Sequence, residues 1–312
     1  MAFEKPDRVP RYDIFLPGYQ RTFAMAHGAE AIYDHYRQVD MGCIMADQGG
    51  PFLQEAHLIS LKGNERIELD TWGRTLLTHT DGFFEKTLQA PLADPSALDR
   101  ICFDVKPHLR TIQKDAHYHA LHARFGVVSG CMGLFMSSYR MRGEEDYLAD
   151  MVSDPPFVDA LIARLEPFLT ELGLFTAQKT DTLDTAVWVY DEFCSRLGPL
   201  FSPKMFERYF LRPYQRMFAR WKANGIRQII LHCDGNSMPL MELLIEAGFT
   251  GVQSMAPTAG MYLPDVKKQV GNRMVLIGGM DNIETLAHGT SAQIERQARE
   301  VYETALQGGV IL

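Results

Sequence analysis

The chain has 312 residues, 46% of them hydrophobic and 22% charged, with a formal net charge of −8 at pH 7. This is ordinary globular composition, at a size that one α/β barrel commonly occupies. It excludes a polybasic nucleic-acid groove, and no apolar run is long enough to span a membrane. The five cysteines (Cys43, Cys102, Cys131, Cys194, Cys233) are scattered and form no CxxC pair. They argue against a disulfide framework and for a reducing cytoplasm. The opening MAFEKPDRVP is charged and proline-bearing, so no signal peptide is expected.

In chain order, β-rich apolar runs alternate with helical stretches. The expected strands are 9–15, 40–46, 126–132, 185–191, 227–233, 250–256, 273–280 and 309–312. Helical patterns fill 27–38, 108–124, 155–177, 203–223, 238–247, 262–270 and 291–307. Alternation of this kind means parallel βαβ units, and eight of them favour a closed (β/α)8 TIM barrel, a single domain over 1–312. No Gly-rich dinucleotide fingerprint follows an early strand, as an open doubly wound sheet would want. A strand-like polar stretch interrupts the second unit and predicts a β-hairpin insertion at about 53–94. It is either a wall of the barrel mouth or a plain surface hairpin. A barrel normally continues with a last loop and helix, so either these lie beyond Leu312 or the strand count is off by one.

Catalytic side chains of barrels project from the C-terminal ends of the strands. Those ends carry Asp47 near Cys43, Ser129 and Cys131, then Asp191, Glu192 and Cys194, then His232, Cys233 and Asp234, and finally Asp281. Asp191 and Asp281 could each cap a helix. As a set, acids and thiols at one rim predict a functional mouth. In ILHCDGNSMPL, strand alternation points His232 and Asp234 together and Cys233 away. Gly235 lets the chain turn, and Asn236 or Ser237 can cap the next helix, which Pro239 helps start. Three chemistries fit the pair. With Glu192 it could hold zinc with an open position; without metal it is an oriented general acid/base; or it is a buried histidine bonded to a capping aspartate. Separations above about 8 Å among His232, Asp234 and Glu192 would rule out the metal, because zinc–ligand bonds are near 2 Å. Cys233 belongs to the candidate ligand set by type, although a lone cysteine is more often a small buried hydrophobe.

Several segments together resemble the uroporphyrinogen decarboxylase superfamily: HCDGN, LIEAGFTGVQSM, AGM (259–261), VKKQVGNRMVLIGGMDN and HGT (288–290). So do DEFCSRLGPLFSPKMFERYF (191–210) and YRMRGEEDYLADMVSDP (139–155). The resemblance is specific from about Tyr139 onward and loose over RVPRYDIF and VDMGCIMAD. It implies the (β/α)8 fold. The Arg-rich N-terminal motif of the porphyrinogen decarboxylases is absent; Arg8, Arg11 and Arg21 are loose substitutes, although Tyr139 falls where those enzymes keep a functional tyrosine. The resemblance is closer to the corrinoid-dependent methyltransferases, including the coenzyme M branch, which carries zinc on an HxC motif plus a later cysteine. Here His232 keeps the first position and Asp234 replaces the thiolate, a harder ligand that zinc still accepts. The later ligand would lie beyond Leu312.

By this resemblance the chain is expected to take a methyl group from a small donor, such as a methoxylated aromatic, and pass it to a separate corrinoid protein. Zinc is the expected cofactor. His232, Asp234, Asp191, Tyr139 and Asp281 are the expected catalytic residues, and His232, Asp234, Glu192 and Cys233 the expected metal ligands. Tyr190, Phe193 and Tyr139 could line an aryl pocket or simply pack in the core. Decarboxylation of a different substrate is the alternative, and a barrel that only binds a partner is a third. A homodimer is the commonest default assembly.

Overall fold

The computed structural model of the chain describes residues 3–12, 17–28, 40–44, 49–80, 84–110 and 116–312. The first parallel strand is β1 (Met41–Ile44). An excursion follows with β2 (His57–Lys62), β3 (Glu65–Leu69), β4 (Thr75–His79) and β5 (Glu85–Gln89). The chain returns in β6 (Gly126–Met132) and β7 (Val187–Tyr190). A short ribbon comes next, β8 (Cys194–Ser195) against β9 (Gly198–Pro199). The last strands are β10 (Ile229–His232), β11 (Gly251–Met255), β12 (Val275–Gly278) and β13 (Val310–Ile311).

Seven strands form one sheet in the order β1-β6-β7-β10-β11-β12-β13, and every pairing in it is parallel. Among its described residues the expected first strand, 9–15, contributes one parallel bridge, Tyr12 to Met41; residues 13–15 lie outside the described ones. Its backbone also reaches the far edge. Tyr12 N–H donates to the Leu312 carbonyl at 2.6 Å, and Leu312 N–H donates to that of Pro10 at 2.9 Å. The segment therefore bonds to both outer strands of the sheet.

Strand alternation divides the core. Val187, Val189, Ile229, Leu231, Val252 and Leu276 belong to the large cluster shared with the helices. Met41, Val128, Trp188, Ile230, Val275, Ile277 and Ile311 form a separate cluster joined by Phe3, Tyr12 and Tyr190. Tyr190 and His232 keep the parity of Trp188 and Ile230, so they belong to the second face.

Between β1 and β6 lies a four-stranded antiparallel sheet, β2-β3-β4-β5, where the sequence pattern predicts a hairpin. Its alternating polar stretch does not reveal how many turns divide it. Buried Arg74 ties this sheet together, with Asp70 at 2.8 Å and Glu85 at 2.7 Å. Arg142 fastens its exit by donating to the carbonyls of Leu92 and Ala93, both at 3.0 Å.

Over 134–153 the sequence pattern predicts no helix, yet two are present, Leu134–Arg142 and Glu144–Ser153. Ser137 and Ser138 are buried on the first of them and break its apolar period. The Ser138 hydroxyl is satisfied by donating to the Leu134 carbonyl at 2.7 Å. The helix Pro17–His27 is also unforeseen, while the expected helix at 27–38 lies outside the described residues from 29 onward. The other expected helices are found, the longest being Pro155–Lys179.

That long helix carries Gly173 against fully buried Trp221, where a Cβ would lie 2.3 Å from the indole. Alanine raises helix propensity by up to about 1 kcal/mol. The clash outweighs this gain, because overpacking costs about 1–3 kcal/mol. Gly173→Ala is therefore expected to lower the urea unfolding midpoint, and an unchanged or raised midpoint would refute the close fit.

Candidate active site

His232 ends β10, and the strand course persists one residue further, because Cys233 N–H donates to the Gln253 carbonyl at 2.7 Å. His232 and Asp234 therefore share a side. Gly235 then turns the chain at φ 89°, and a Cβ there would stand 2.4 Å from the Ser195 carbonyl oxygen. This close approach presses the 192–195 segment onto the His232 loop, and Asn236 N–H donates to the same carbonyl at 2.9 Å. The Asn236 side chain in turn accepts from Met238 N–H at 3.1 Å, the expected cap.

Three predicted residues converge. One ligand atom from each of Glu192, His232 and Asp234 lies within 4.8 Å of the others. Glu192 Oε1 is 3.1 Å from His232 Nε2. Each group is also held from behind. Asp234 N–H donates to Glu192 Oε2 at 2.9 Å, and the Ser254 hydroxyl donates to Asp234 Oδ1 at 3.0 Å. His232 Nδ1 bonds Gln253 Oε1. An amide oxygen only accepts, so Nδ1 carries the proton. Nε2 then faces carboxylate oxygen with no donor to offer unless a second proton or a metal cation lies between them. Burial lowers the His232 pKa, but the hydrogen bond and charge of Glu192 outweigh it and hold the ring above its ordinary value. The Tyr190 ring lies 5.2 Å from the imidazole.

Other predicted residues are placed differently. Cys233 is expected among the ligands, but it points to the opposite face, fully buried and beside Cys194. The alternation that aligns His232 with Asp234 turns it away. Asp191 is fully buried and caps a helix from a distance, accepting from Phe135 N–H at 3.1 Å, Met136 N–H at 2.6 Å and the Tyr214 hydroxyl. Burial pushes its carboxyl up to about 7 against the pull of those donors. Asp281 is buried as a local cap; its Oδ1 accepts from Ile283 N–H at 2.9 Å and Glu284 N–H at 3.0 Å. Tyr139 is half-buried on the helix Leu134–Arg142, with its ring against Phe135 at 5.4 Å. Burial raises its phenol pKa; the Arg140 charge opposes this, and the charges of Asp191 and Glu192 add to it.

Phe193 is fully buried in the aromatic core with Phe201, Phe206 and Phe210. Ser129 and Cys131 are buried on the helix-facing side. Asp47 lies outside the described residues. Gln253 and Ser254, which orient the ligands, escape the sequence analysis. Two polar residues at the end of an otherwise apolar strand are the signal that marks them.

The donor set suits zinc: one imidazole nitrogen and two carboxylates, each oriented by a further hydrogen bond. Tetrahedral zinc wants ligand atoms about 3.4 Å apart. Asp234 is exposed, with Oδ1 held by the Ser254 hydroxyl.

A family model described as uroporphyrinogen decarboxylase matches residues 90–312. Among solved structures, a methyltransferase from Methanosarcina mazei shares the fold at a TM-score of 0.65 and 16% identity, over 98% of this chain and 88% of that one. No curated protein matches the chain. Among the described residues no helix is long and apolar enough to cross a membrane.

Proposed function

The chain belongs to the uroporphyrinogen decarboxylase family, and from that premise we propose that it is a zinc-dependent methyltransferase passing a methyl group from a small donor, a methoxylated aromatic, to a separate corrinoid protein. The observation that carries this reading is His232 Nε2, set 3.1 Å from a carboxylate oxygen while Nδ1 is committed to Gln253. Such a nitrogen is met by a second proton or by a metal cation, and the two carboxylates gathered with it favour the metal. The methyltransferase neighbour from Methanosarcina mazei supports the choice of branch. We further read the fold as a closed (β/α)8 barrel. Pro10–Tyr12 supplies the eighth strand between β1 and β13, and the cluster around Trp188 fills the interior. The antiparallel sheet β2–β5 is then an insertion beside the mouth.

The transfer would join the methyl carbon to the corrinoid acceptor as the C–O bond breaks and its electron pair leaves on the aryl oxygen. His232, Glu192 and Asp234 would hold a zinc ion, which would supply Lewis acidity toward that oxygen. The chain does the positioning. Gln253 fixes the imidazole tautomer, Asp234 N–H and Ser254 fix the two carboxylates, and Tyr190 backs the ring. Glu192 and Asp234 keep the centre close to neutral. Burial keeps the phenol of Tyr139 protonated. Cys233, Asp191 and Asp281 support the scaffold.

The direct test mixes the purified protein, zinc, cob(I)alamin and a panel of methoxylated aromatics and follows the visible spectrum. Conversion to methylcobalamin with at least one donor is expected. Evolution of CO2 from a carboxylic acid by metal-free protein, with no methyl transfer, would instead support the decarboxylase alternative.

A further inference from the structure

The two edges of the antiparallel sheet differ. β5 carries Glu85 and Lys86, charges of the kind that keep an edge from pairing. β2 pairs only with β3 among the described residues, so its other side presents open N–H and C=O groups. All six of its residues are exposed. Leu58, Ile59 and Leu61 remain 50%, 52% and 57% accessible. The strand has no proline, and its one lysine, Lys62, stands at its end. A free apolar edge of this length is a template for another strand.

The pairing with β3 shows which strand fits. His57, Ser60 and Lys62 stand opposite Leu69, Ile67 and Glu65, while Leu58 and Leu61 stand opposite Glu68 and Arg66. Residues two apart in β3 share a face, so the first three side chains of β2 share one face and the two leucines the other. Ile59 is the extra residue of a bulge and shares its position with Leu58. β2 thus has five positions: His57, Leu58 with Ile59, Ser60, Leu61 and Lys62. They read polar, apolar, polar, apolar, polar in either direction. We propose that β2 pairs antiparallel with β2 of a second copy of this chain, about a two-fold axis through Ser60. Leu61 then meets the partner's Leu58 and Ile59, and the same contact recurs across the axis, as an isologous interface requires. Ser60 meets the partner's Ser60, and Lys62 meets the partner's His57, so no lysine faces a lysine. The palindrome singles out a second copy over an unrelated strand. Two four-stranded sheets become one, burying on the order of 1,000 Å² in total, the low end for a specific interface. The dimer is therefore reversible, and it does not depend on the methyltransferase reading.

The test is sedimentation equilibrium of the native protein between about 1 and 200 μM, a range that brackets a weak interface of this size. The average mass is expected to rise toward that of two chains. Leu61→Lys removes an apolar contact on both sides of the axis and is expected to weaken dimerisation about tenfold or more. A second variant fixes the register. Directly opposed residues in an antiparallel pair have Cα atoms about 4.5–5.5 Å apart, within the span of a disulfide. Ser60→Cys is therefore expected to form a covalent dimer with oxidised glutathione, whose own disulfide is reduced to two thiols as the new bond forms. Lys62→Cys and the native chain, treated alike, are expected to run as monomers on a non-reducing denaturing gel. A mass of one chain at every concentration would overturn the proposal. So would a dimer of unchanged strength in Leu61→Lys, no cross-link in Ser60→Cys, or a cross-link formed equally well by Lys62→Cys.

Discussion

Replacing His232 with alanine is expected to remove bound zinc and lower methyl transfer by at least about 10³-fold, on the scale seen when a main electrostatic contact to a leaving oxygen is lost. The geometry explains why the effect is concentrated there. His232 is the one nitrogen ligand, and its Nε2 lies 3.1 Å from Glu192 Oε1. Without the ring, Glu192 and Asp234 remain as two carboxylates that hold a metal weakly and without its tautomer-fixed donor. Gln253→Ala should be milder. It leaves all three ligands and removes only the partner of Nδ1, which predicts a loss of about 10- to 100-fold in zinc affinity. Zinc counted per chain by elemental analysis, beside initial rates from the visible spectrum, separates the two variants. A chelator should abolish the rate and added zinc restore it. Full activity in chelated protein would rule out the metal and leave His232 and Asp234 as an acid/base pair.

The scaffold of this site was legible because strand physics is local. Alternation alone predicted that His232 and Asp234 point together and Cys233 away. The structure agrees, with Cys233 fully buried and Asp234 exposed. The six expected strands after residue 125 are found. Residues that act across the sheet were not legible. Nothing near Gln253 in the chain says that it lies beside His232, because their meeting depends on the β10–β11 register, which pairs them directly. Asp191 shows the reverse error. An acid after a strand reads as a rim residue, yet its partners Phe135, Met136 and Tyr214 lie 23 to 56 positions away.

Asp191→Asn is expected to cost about 3 kcal/mol of stability while leaving the zinc ligands in place. The helix Leu134–Arg142 begins at Gly133, which brings no capping side chain. Its first amides must therefore be satisfied from elsewhere. Leu134 N–H donates to the Tyr214 oxygen at 2.9 Å, Tyr214 donates onward to Asp191 Oδ2, and Phe135 and Met136 donate to the two Asp191 oxygens. Gly133 is required for this arrangement, because a Cβ there would lie 2.3 Å from the Asp191 carboxyl. An asparagine presents an NH2 in place of one oxygen. Whichever oxygen is replaced, a donor then faces a donor in a fully buried place, and each stranded amide costs about 1–3 kcal/mol. The positive end of the helix also loses its anion. Tyr214→Phe leaves both Asp191 amide bonds intact and strands only Leu134 N–H, so it should cost less, about 1–2 kcal/mol. The double variant should fall short of the sum, since both changes break one relay. Urea unfolding in the presence of a chelator measures the scaffold without the metal. A loss below about 0.5 kcal/mol for Asp191→Asn would show that the helix start finds other acceptors and that Asp191 is kept for chemistry instead.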